Sequence, residues 1–252
     1  MTPRSLSLLA ACTVAAALFV AGLPTAHGDD PAPAAGFKSM FNGKDLTGWD
    51  GLDDFWTVKD GVISGSETKE HAAPQTFLIY KDGKFGDFEL HYKYRFTTPD
   101  GNSGLQFRSK VIDEKQHRVG GYQADCDAKQ GFDGSIYDEK DVAGGRGTMS
   151  NRGEKTTWDA DPKPHKENLS ESAEELKKLI KPGDWNDVVL VAQGNHITYT
   201  VNGHLMTDLT DNSPKALKEG VIALQLHAGF VMEIQFKDLE IKDLSSPPPA
   251  AK

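Results

Sequence analysis

Three short segments of alternating apolar and polar residues each place a glutamine two positions before an ionisable side chain. The pairs are Gln106 with Arg108, Gln123 with Asp125, and Gln225 with His227. Successive side chains of a β-strand point to opposite faces, so both members of each pair share one face and apolar residues occupy the other. If the three strands are neighbours, these amide, guanidinium, carboxylate and imidazole groups form one polar surface. Such a surface can bind a polar ligand and transfer protons.

Each of these residues also has a structural interpretation. A single glutamine on a strand is often only exposed to solvent. Arg108 could form an ion pair with Asp125, and His227 could be a histidine at a strand end whose hydrogen bonds are purely structural. The recurrence of one spacing in three segments favours the functional interpretation. Paired amide and guanidinium groups match the vicinal hydroxyls of sugars, and aromatic rings stack on the apolar face of a pyranose. Tyr137 and Trp158 are the candidates for stacking.

The chain lacks the local sequence motifs of several other enzyme and nucleotide-binding classes. The sequence contains no nucleophile elbow, zinc-protease helix, phosphate-binding loop or dinucleotide fingerprint. The acidic residues between positions 125 and 139 could hold Ca²⁺ through oxygen ligands, but their spacing is not that of an EF-hand. A solvated acidic loop is the alternative. We therefore predict neither a cofactor nor a metal site.

Short strands bounded by glycine and aspartate turns must position these side chains. The pattern predicts strands at residues 55–58, 62–64, 76–80, 88–97, 105–109, 122–126, 188–193, 197–201, 204–207, 221–227 and 231–241. One helix is predicted over residues 172–180, where Ser172 and Glu175 form a capping box. Residues 142–171 lack hydrophobic periodicity and are interpreted as an insertion over the sheet. These features predict an all-β, two-sheet jelly-roll sandwich with one short helix in the insertion.

The N-terminus has the pattern of a secretory signal peptide over residues 1–28, with a basic start, an apolar run and small residues before the acidic pair at 29–30. An uncleaved anchor and a lipoprotein modified at Cys12 are the alternatives. We predict a Pro/Ala linker at 29–35, one domain at 36–244 and a disordered tail at 245–252. Cleavage would leave Cys126 as the only cysteine, so no internal disulfide could form.

The net charge of −9 argues against nucleic acid and anionic membranes as partners. A neutral, polar small molecule such as a carbohydrate is the expected ligand. With the signal peptide removed, we expect a secreted or periplasmic protein with no stable membrane insertion.

Eight segments in order are similar to one known family. They are FNGKDLTGW, FWTVKDGVISG, FGDFELHYKYRF, GNSGLQFRSK, GYQADC, GSIYDE, PGDWNDVVLVAQGNHITYTVNG and GVIALQLHAG. Over residues 36–244 the chain resembles the 3-keto-disaccharide hydrolase family of the concanavalin A-like lectin/glucanase superfamily. The resemblance implies a concanavalin A-like jelly roll. It also implies hydrolysis of disaccharides or glycosides whose C3 hydroxyl has been oxidised to a ketone.

The implied reaction needs few groups. A C3 ketone acidifies the C2 hydrogen, so a base can remove it, the C1 substituent can be eliminated, and water can add back. From chemistry and position, we assign His227 or Asp125 as the base, Arg108 as the enolate stabiliser, and Tyr137 or Glu139 as the group that assists the leaving oxygen. Three amides would orient hydroxyl groups: Gln106, Gln123 and Gln225.

Two other classes of function stay open. A non-catalytic carbohydrate-binding module would present a similar polar face. A glycosidase of unoxidised glycosides would use Asp125 with Glu139. Laminarinase-type enzymes alternate carboxylates along one strand, and here Gln123 occupies the position of the nucleophile. An amide cannot replace that carboxylate, so an ordinary retaining glucanase is disfavoured.

Overall fold

Two β-sheets packed as a sandwich contain almost all the regular structure of residues 33–139 and 144–245, which this computed structural model describes. The all-β jelly-roll prediction is therefore confirmed. The predicted signal peptide, most of the linker and most of the tail lie outside the described residues. The predicted domain boundaries stay predictions.

Seven strands form the sheet that we call the front sheet. In spatial order they are β10 (Gly147–Ser150), β9 (Ile136–Asp138), β8 (Arg118–Asp127), β7 (Asn102–Asp113), β16 (Val221–Leu226), β5 (Thr76–Tyr80) and β2 (Trp49–Asp50). The three strands that carry the glutamine pairs, β8, β7 and β16, are adjacent in this order. Their adjacency brings the pairs onto neighbouring positions of one sheet.

Ten strands of the described chain form the other sheet, the back sheet. Nine follow one path: β12 (His165–Asn168), β11 (Glu154–Trp158), β15 (His204–Asp211), β14 (His196–Val201), β13 (Asn186–Gln193), β6 (Phe88–Phe96), β17 (Met232–Asp243), β4 (Val62–Glu67) and β3 (Trp56–Lys59). The tenth, β1 (Lys38–Ser39), pairs with β17.

Alternation of side chains explains how the sheets pack. Along β6 every second residue from Phe88 to Phe96 is buried, and the residues between them are half-buried on the outer face. Leu105 and Phe107 of β7 and Tyr122 of β8 supply the front sheet's share of the same core. Burying each such side chain contributes about 2 kcal/mol. The core fixes the front sheet's polar residues to its outer face.

Every strand predicted from the sequence is present, with its ends shifted by up to a few residues. The prediction missed β1, β2, β9, β10, β11 and β12, and the interpretation of residues 142–171 as an insertion over the sheet is wrong. Strand β10 extends the front sheet, β11 runs parallel to β15, and β12 completes the edge of the back sheet. These strands have only four or five residues each, and none shows the apolar alternation that marks a longer strand.

The helix α1 (Ala173–Lys177) is shorter than predicted, but its capping box is confirmed. The Glu175 amide donates to Ser172 Oγ, and the Ser172 amide donates to Glu175 Oε2. Residues 178–180 leave the helix through turns in which each amide donates to the carbonyl three residues earlier. Within residues 33–139 and 144–245, no helix has the length and apolar character needed to cross a membrane.

Candidate active site

A cleft of about 410 Å³ lies on the outer face of the front sheet. It receives six of the nine site residues predicted from the sequence: Gln123, Asp125, Tyr137, Glu139, Gln225 and His227. Six further residues also line it: Gln75, Asn102, Phe132, Ser135, Thr148 and Asn151. Strand alternation therefore brought most of the predicted set together, although the roles assigned to these residues stay predictions.

A row of hydrogen bonds fixes the amides beneath the cleft. Ser109 Oγ donates to Gln106 Oε1 (2.7 Å), Gln106 Nε2 to Gln123 Oε1 (2.7 Å), and Gln123 Nε2 to Gln225 Oε1 (2.9 Å). All three glutamines are buried, and Gln225 Nε2 donates to no residue within 33–139 and 144–245. Gln106 does not line the cleft, so its predicted direct contact with substrate is wrong. It lies behind Gln123 and orients that amide.

Gly104 makes room for this row. It pairs with Asp125 across the β7–β8 ladder, on the same face as Gln106. A Cβ atom at this position would lie 2.4 Å from Gln123 Nε2 and 2.6 Å from Gln123 Cγ. Any other residue at position 104 would therefore displace the central amide of the row.

Asp125 is a half-buried carboxyl group in the cleft. Burial raises its pKa well above the ordinary value, and the nearby carboxylates of Glu139 and Asp127 raise that pKa further. A hydrogen bond with Gln123 lowers this pKa, but it offsets only part of the rise. Asp125 is thus kept protonated at pH values where an exposed aspartate has lost its proton. In this form it is a proton donor.

His227 follows the end of β16, and its ring is held in one tautomer. Its Nδ1 atom lies 2.8 Å from the carbonyl oxygen of Ala228. A carbonyl oxygen can only accept, so Nδ1 carries the proton and the lone pair of the neutral ring is on Nε2. The ring also packs edge-on against Phe230, with 5.4 Å between centroids. His227 therefore offers the cleft a proton acceptor.

The predicted position of Arg108 on the cleft face is wrong. Its guanidinium is 1% exposed and is fixed among loops at one end of the sandwich. It donates to the carbonyl oxygens of Gly86 (2.8 Å), Gly194 (2.9 Å) and Leu217 (3.2 Å), and it forms an ion pair with Asp87 (3.2 Å). The alternative ion pair with Asp125 is likewise not formed. Arg108 is a structural residue in this fold.

A β-bulge causes the change of direction. The β7–β8 register shifts between Phe107 and Lys110, and Arg108 has a positive φ of 49°. An extra residue on one strand reverses the alternation beyond it. The bulged backbone passes so close to Gly220 that a Cβ atom there would lie 2.3 Å from Ser109 O.

Trp158 was predicted to stack on sugar, and this placement is also wrong. It lies on β11 of the back sheet, where its indole nitrogen donates to Met149 O (2.9 Å) and its ring faces the Arg146 guanidinium at 5.5 Å. The aromatic residues in the cleft are Tyr137 and Phe132. Phe132 is 56% exposed and was missed. A lone aromatic residue in the glycine-rich sequence QGFDGS is the feature that could have revealed it.

The loop that carries Phe132 is fixed by its own acidic residues. Asp127 Oδ1 accepts the Phe132 amide (2.6 Å), and Asp133 Oδ2 accepts the Asp127 amide (2.9 Å). Asp133 also bonds to the Tyr94 hydroxyl, and burial raises the pKa of Asp133 to about 7. Among the described residues, no three His, Cys, Asp or Glu side chains are grouped in a way that could hold a metal ion. These acids stabilise the loop itself.

Residues 36–242 match the family described as the 3-keto-alpha-glucoside-1,2-lyase-like domain. The chain belongs to this family. The resemblance seen in the sequence is thereby confirmed. The match includes every strand that contributes to the cleft. A comparison with curated protein sequences gives no match.

Several solved structures share the fold of this family member. A candidate glycosyl hydrolase from Parabacteroides distasonis ATCC 8503 superposes with a TM-score of 0.55 and 18% identity, covering 83% of this chain and 94% of that one. A second candidate glycosyl hydrolase from the same organism superposes with a TM-score of 0.54 and 18% identity, covering 82% of this chain and 99% of that one. The carbohydrate-binding module CBM66 from Bacillus subtilis superposes with a TM-score of 0.50 and 16% identity, covering 78% of this chain and 96% of that one. At these identities the likeness shows the fold alone, a fold found in both glycosyl hydrolase-like proteins and carbohydrate-binding modules.

Proposed function

We propose that this protein is a carbohydrate-active enzyme that cleaves 3-keto glycosides by removing the C2 proton and eliminating the C1 substituent. The observation that carries the proposal is that one cleft is lined by the imidazole of His227, whose Nδ1 is held by the Ala228 carbonyl, and by the carboxyl group of Asp125, whose pKa is raised. The lyase named in the family's description fits the elimination half of this scheme. From the N-terminal pattern, we also propose a secreted or periplasmic location.

The sequence left two candidates for the base, and the electrostatics favour one. A protonated Asp125 cannot accept a proton, whereas His227 Nε2 can. The C2–H bond breaks, its proton moves to Nε2, and its electron pair forms the enolate of the C3 ketone. Collapse of the enolate breaks the bond between C1 and the leaving oxygen, which takes its proton from Asp125. Water then adds across C1 and C2 to give the free 3-keto sugar.

The enolate oxygen needs a hydrogen-bond donor that is already in place. Arg108 is not in the cleft, so we assign this role to Gln225 Nε2. The row of amides holds it, and it has no acceptor of its own among residues 33–139 and 144–245. The exposed ring of Phe132 supplies an apolar surface for the C–H face of the sugar ring.

Paired turnover tests the proposed function. A disaccharide and its 3-keto derivative are incubated separately with the purified protein, with and without EDTA, and released monosaccharide is measured. We expect release from the keto derivative alone. Binding of either sugar without release would identify a carbohydrate-binding module. Release from the unoxidised sugar would identify a glycosidase that uses Asp125 with Glu139.

The role of Asp125 predicts a pH profile. The rate requires its protonated form, so turnover falls as pH rises through the raised pKa of Asp125. We expect Asp125→Asn to lower kcat by about 10²-fold and to remove this alkaline limb, because an amide cannot release a proton. The measurement is kcat from pH 5 to 10, with the exposed Asp161→Asn as the matched control. An unchanged alkaline limb in D125N would assign the acid role elsewhere.

A further inference from the structure

The turn that carries His227 is tied to a buried carboxylate on the other sheet. Glu67 is the last residue of β4, and it is 2% exposed. Its Oε1 accepts the Phe230 amide at 2.6 Å, and its Oε2 accepts the Ala73 amide at 2.9 Å. One side chain thus joins two segments that flank the cleft.

The segment with Phe230 is the turn of His227 itself, and the segment with Ala73 contacts that turn. The second segment contributes Gln75, whose Oε1 accepts the Ala228 amide (3.1 Å). Ala228 in turn supplies the carbonyl that holds His227 Nδ1, and the Phe230 ring packs against the imidazole. The hydrogen bonds to Glu67 and Gln75 therefore fix the backbone on which the tautomer of His227 depends.

A carboxylate is a costly group to bury at this position. Within residues 33–139 and 144–245, no lysine or arginine forms an ion pair with Glu67, so the two amide donors are its compensation. An apolar side chain of similar size would pack here without that cost. What the carboxylate provides is two acceptors, each directed at a donor on a different segment.

We infer that Glu67 is a positioning residue for the base: it holds the turn 227–230 so that His227 Nδ1 stays protonated and Nε2 faces the substrate. This inference rests on the proposed function, because it takes His227 as the base. Glu67 does not line the cleft, so it would act on the reaction only through His227.

Glu67→Gln is the informative substitution. Glutamine has nearly the same shape, but its NH₂ group faces one of the two amide donors, so one of the two bonds is lost. We expect kcat on the 3-keto disaccharide to fall about 10-fold while KM changes less than twofold. In an H227A background, E67Q should cause no further loss. The matched control is Glu175→Gln, which also removes a carboxylate that accepts a backbone amide, on a helix cap outside the cleft.

A second measurement does not depend on turnover. Nitrogen-15 spectra of the histidine rings, with His227 assigned by its absence in H227A, report which ring nitrogen carries the proton. We expect Nδ1–H in the unmodified protein and a mixture of tautomers in E67Q. If E67Q does not fold, Glu67→Asp keeps both acceptors on a shorter chain and should show a smaller effect of the same kind.

The outcomes separate the two proposals. No turnover of the keto sugar by the unmodified protein would overturn the proposed function, and the ring spectra would still test the position of His227. An unchanged tautomer in E67Q, or an equal loss of kcat with and without His227, would overturn the role of Glu67. A lower melting temperature with an unchanged tautomer would show that Glu67 is only structural.

Discussion

Replacing His227 by alanine is expected to lower turnover of a 3-keto disaccharide by about 10²- to 10⁴-fold, the contribution typical of a positioned general base. The reason is the geometry of the ring. Nδ1 donates to Ala228 O, so Nε2 is the only lone pair that the imidazole can offer to the C2 proton. The measurement is kcat at saturating substrate, together with the Kd of the same sugar.

A second histidine serves as the control, because its replacement removes an imidazole from the protein without removing the proposed base. His196 lies on β14 of the back sheet, where it pairs with Asp208 at 2.9 Å. We expect His196→Ala to keep full turnover. If H227A also kept it, the base would have to be another group in the cleft, with Glu139 as the next candidate. If H227A bound the sugar less tightly but kept its kcat, His227 would be a binding residue.

Replacing Arg108 by alanine is expected to lower the free energy of unfolding by about 3 kcal/mol or more, because backbone carbonyl oxygens lose a buried donor and each such loss costs about 1–3 kcal/mol. The guanidinium joins Asp87 to the carbonyl oxygens of Gly86, Gly194 and Leu217, and these three carbonyls lose this donor together. Urea unfolding measures the loss. Turnover per folded molecule should stay within about twofold, because Arg108 does not line the cleft.

A surface arginine provides the control for R108A. Arg95 lies over Trp185 on the outer face of the back sheet and bonds to Gln235. Because Arg95 is only half-buried, Arg95→Ala should change the unfolding free energy by less than about 1 kcal/mol. If R108A were as stable as the unmodified protein but inactive, the catalytic role first predicted for Arg108 would be restored.

The central strands could be predicted from the sequence because burial imposes a pattern on them. Strand β6 alternates along its whole length, and β16 is bounded by turn residues. The edge strand β12 is exposed throughout, so nothing in its composition separates it from a loop. The same physical reason explains why residues 142–171 were interpreted as an insertion.

The site was predictable as far as strand alternation continues. Gln123, Asp125 and Gln225 lie where the pleat places them. Arg108 lies within the bulge that interrupts the pleat, and this bulge packs closely against the backbone of Gly220, which is distant in sequence. Phe132 lies on a loop whose shape depends on hydrogen bonds and not on periodicity. Alternation therefore says nothing about either residue.

The row of amides beneath the cleft has a direction. Each group from Ser109 onward donates to the next, so turning over a single amide breaks at least one bond of the row. Reversal would require Gln106, Gln123 and Gln225 to rotate together. Ser109 Oγ can either donate or accept, so the direction is fixed by a second bond of Gln123 Nε2, to the Ser103 carbonyl oxygen (3.4 Å), which can only accept. The main chain of β7 therefore decides that a ligand in the cleft meets the N–H side of Gln225 and not its C=O side.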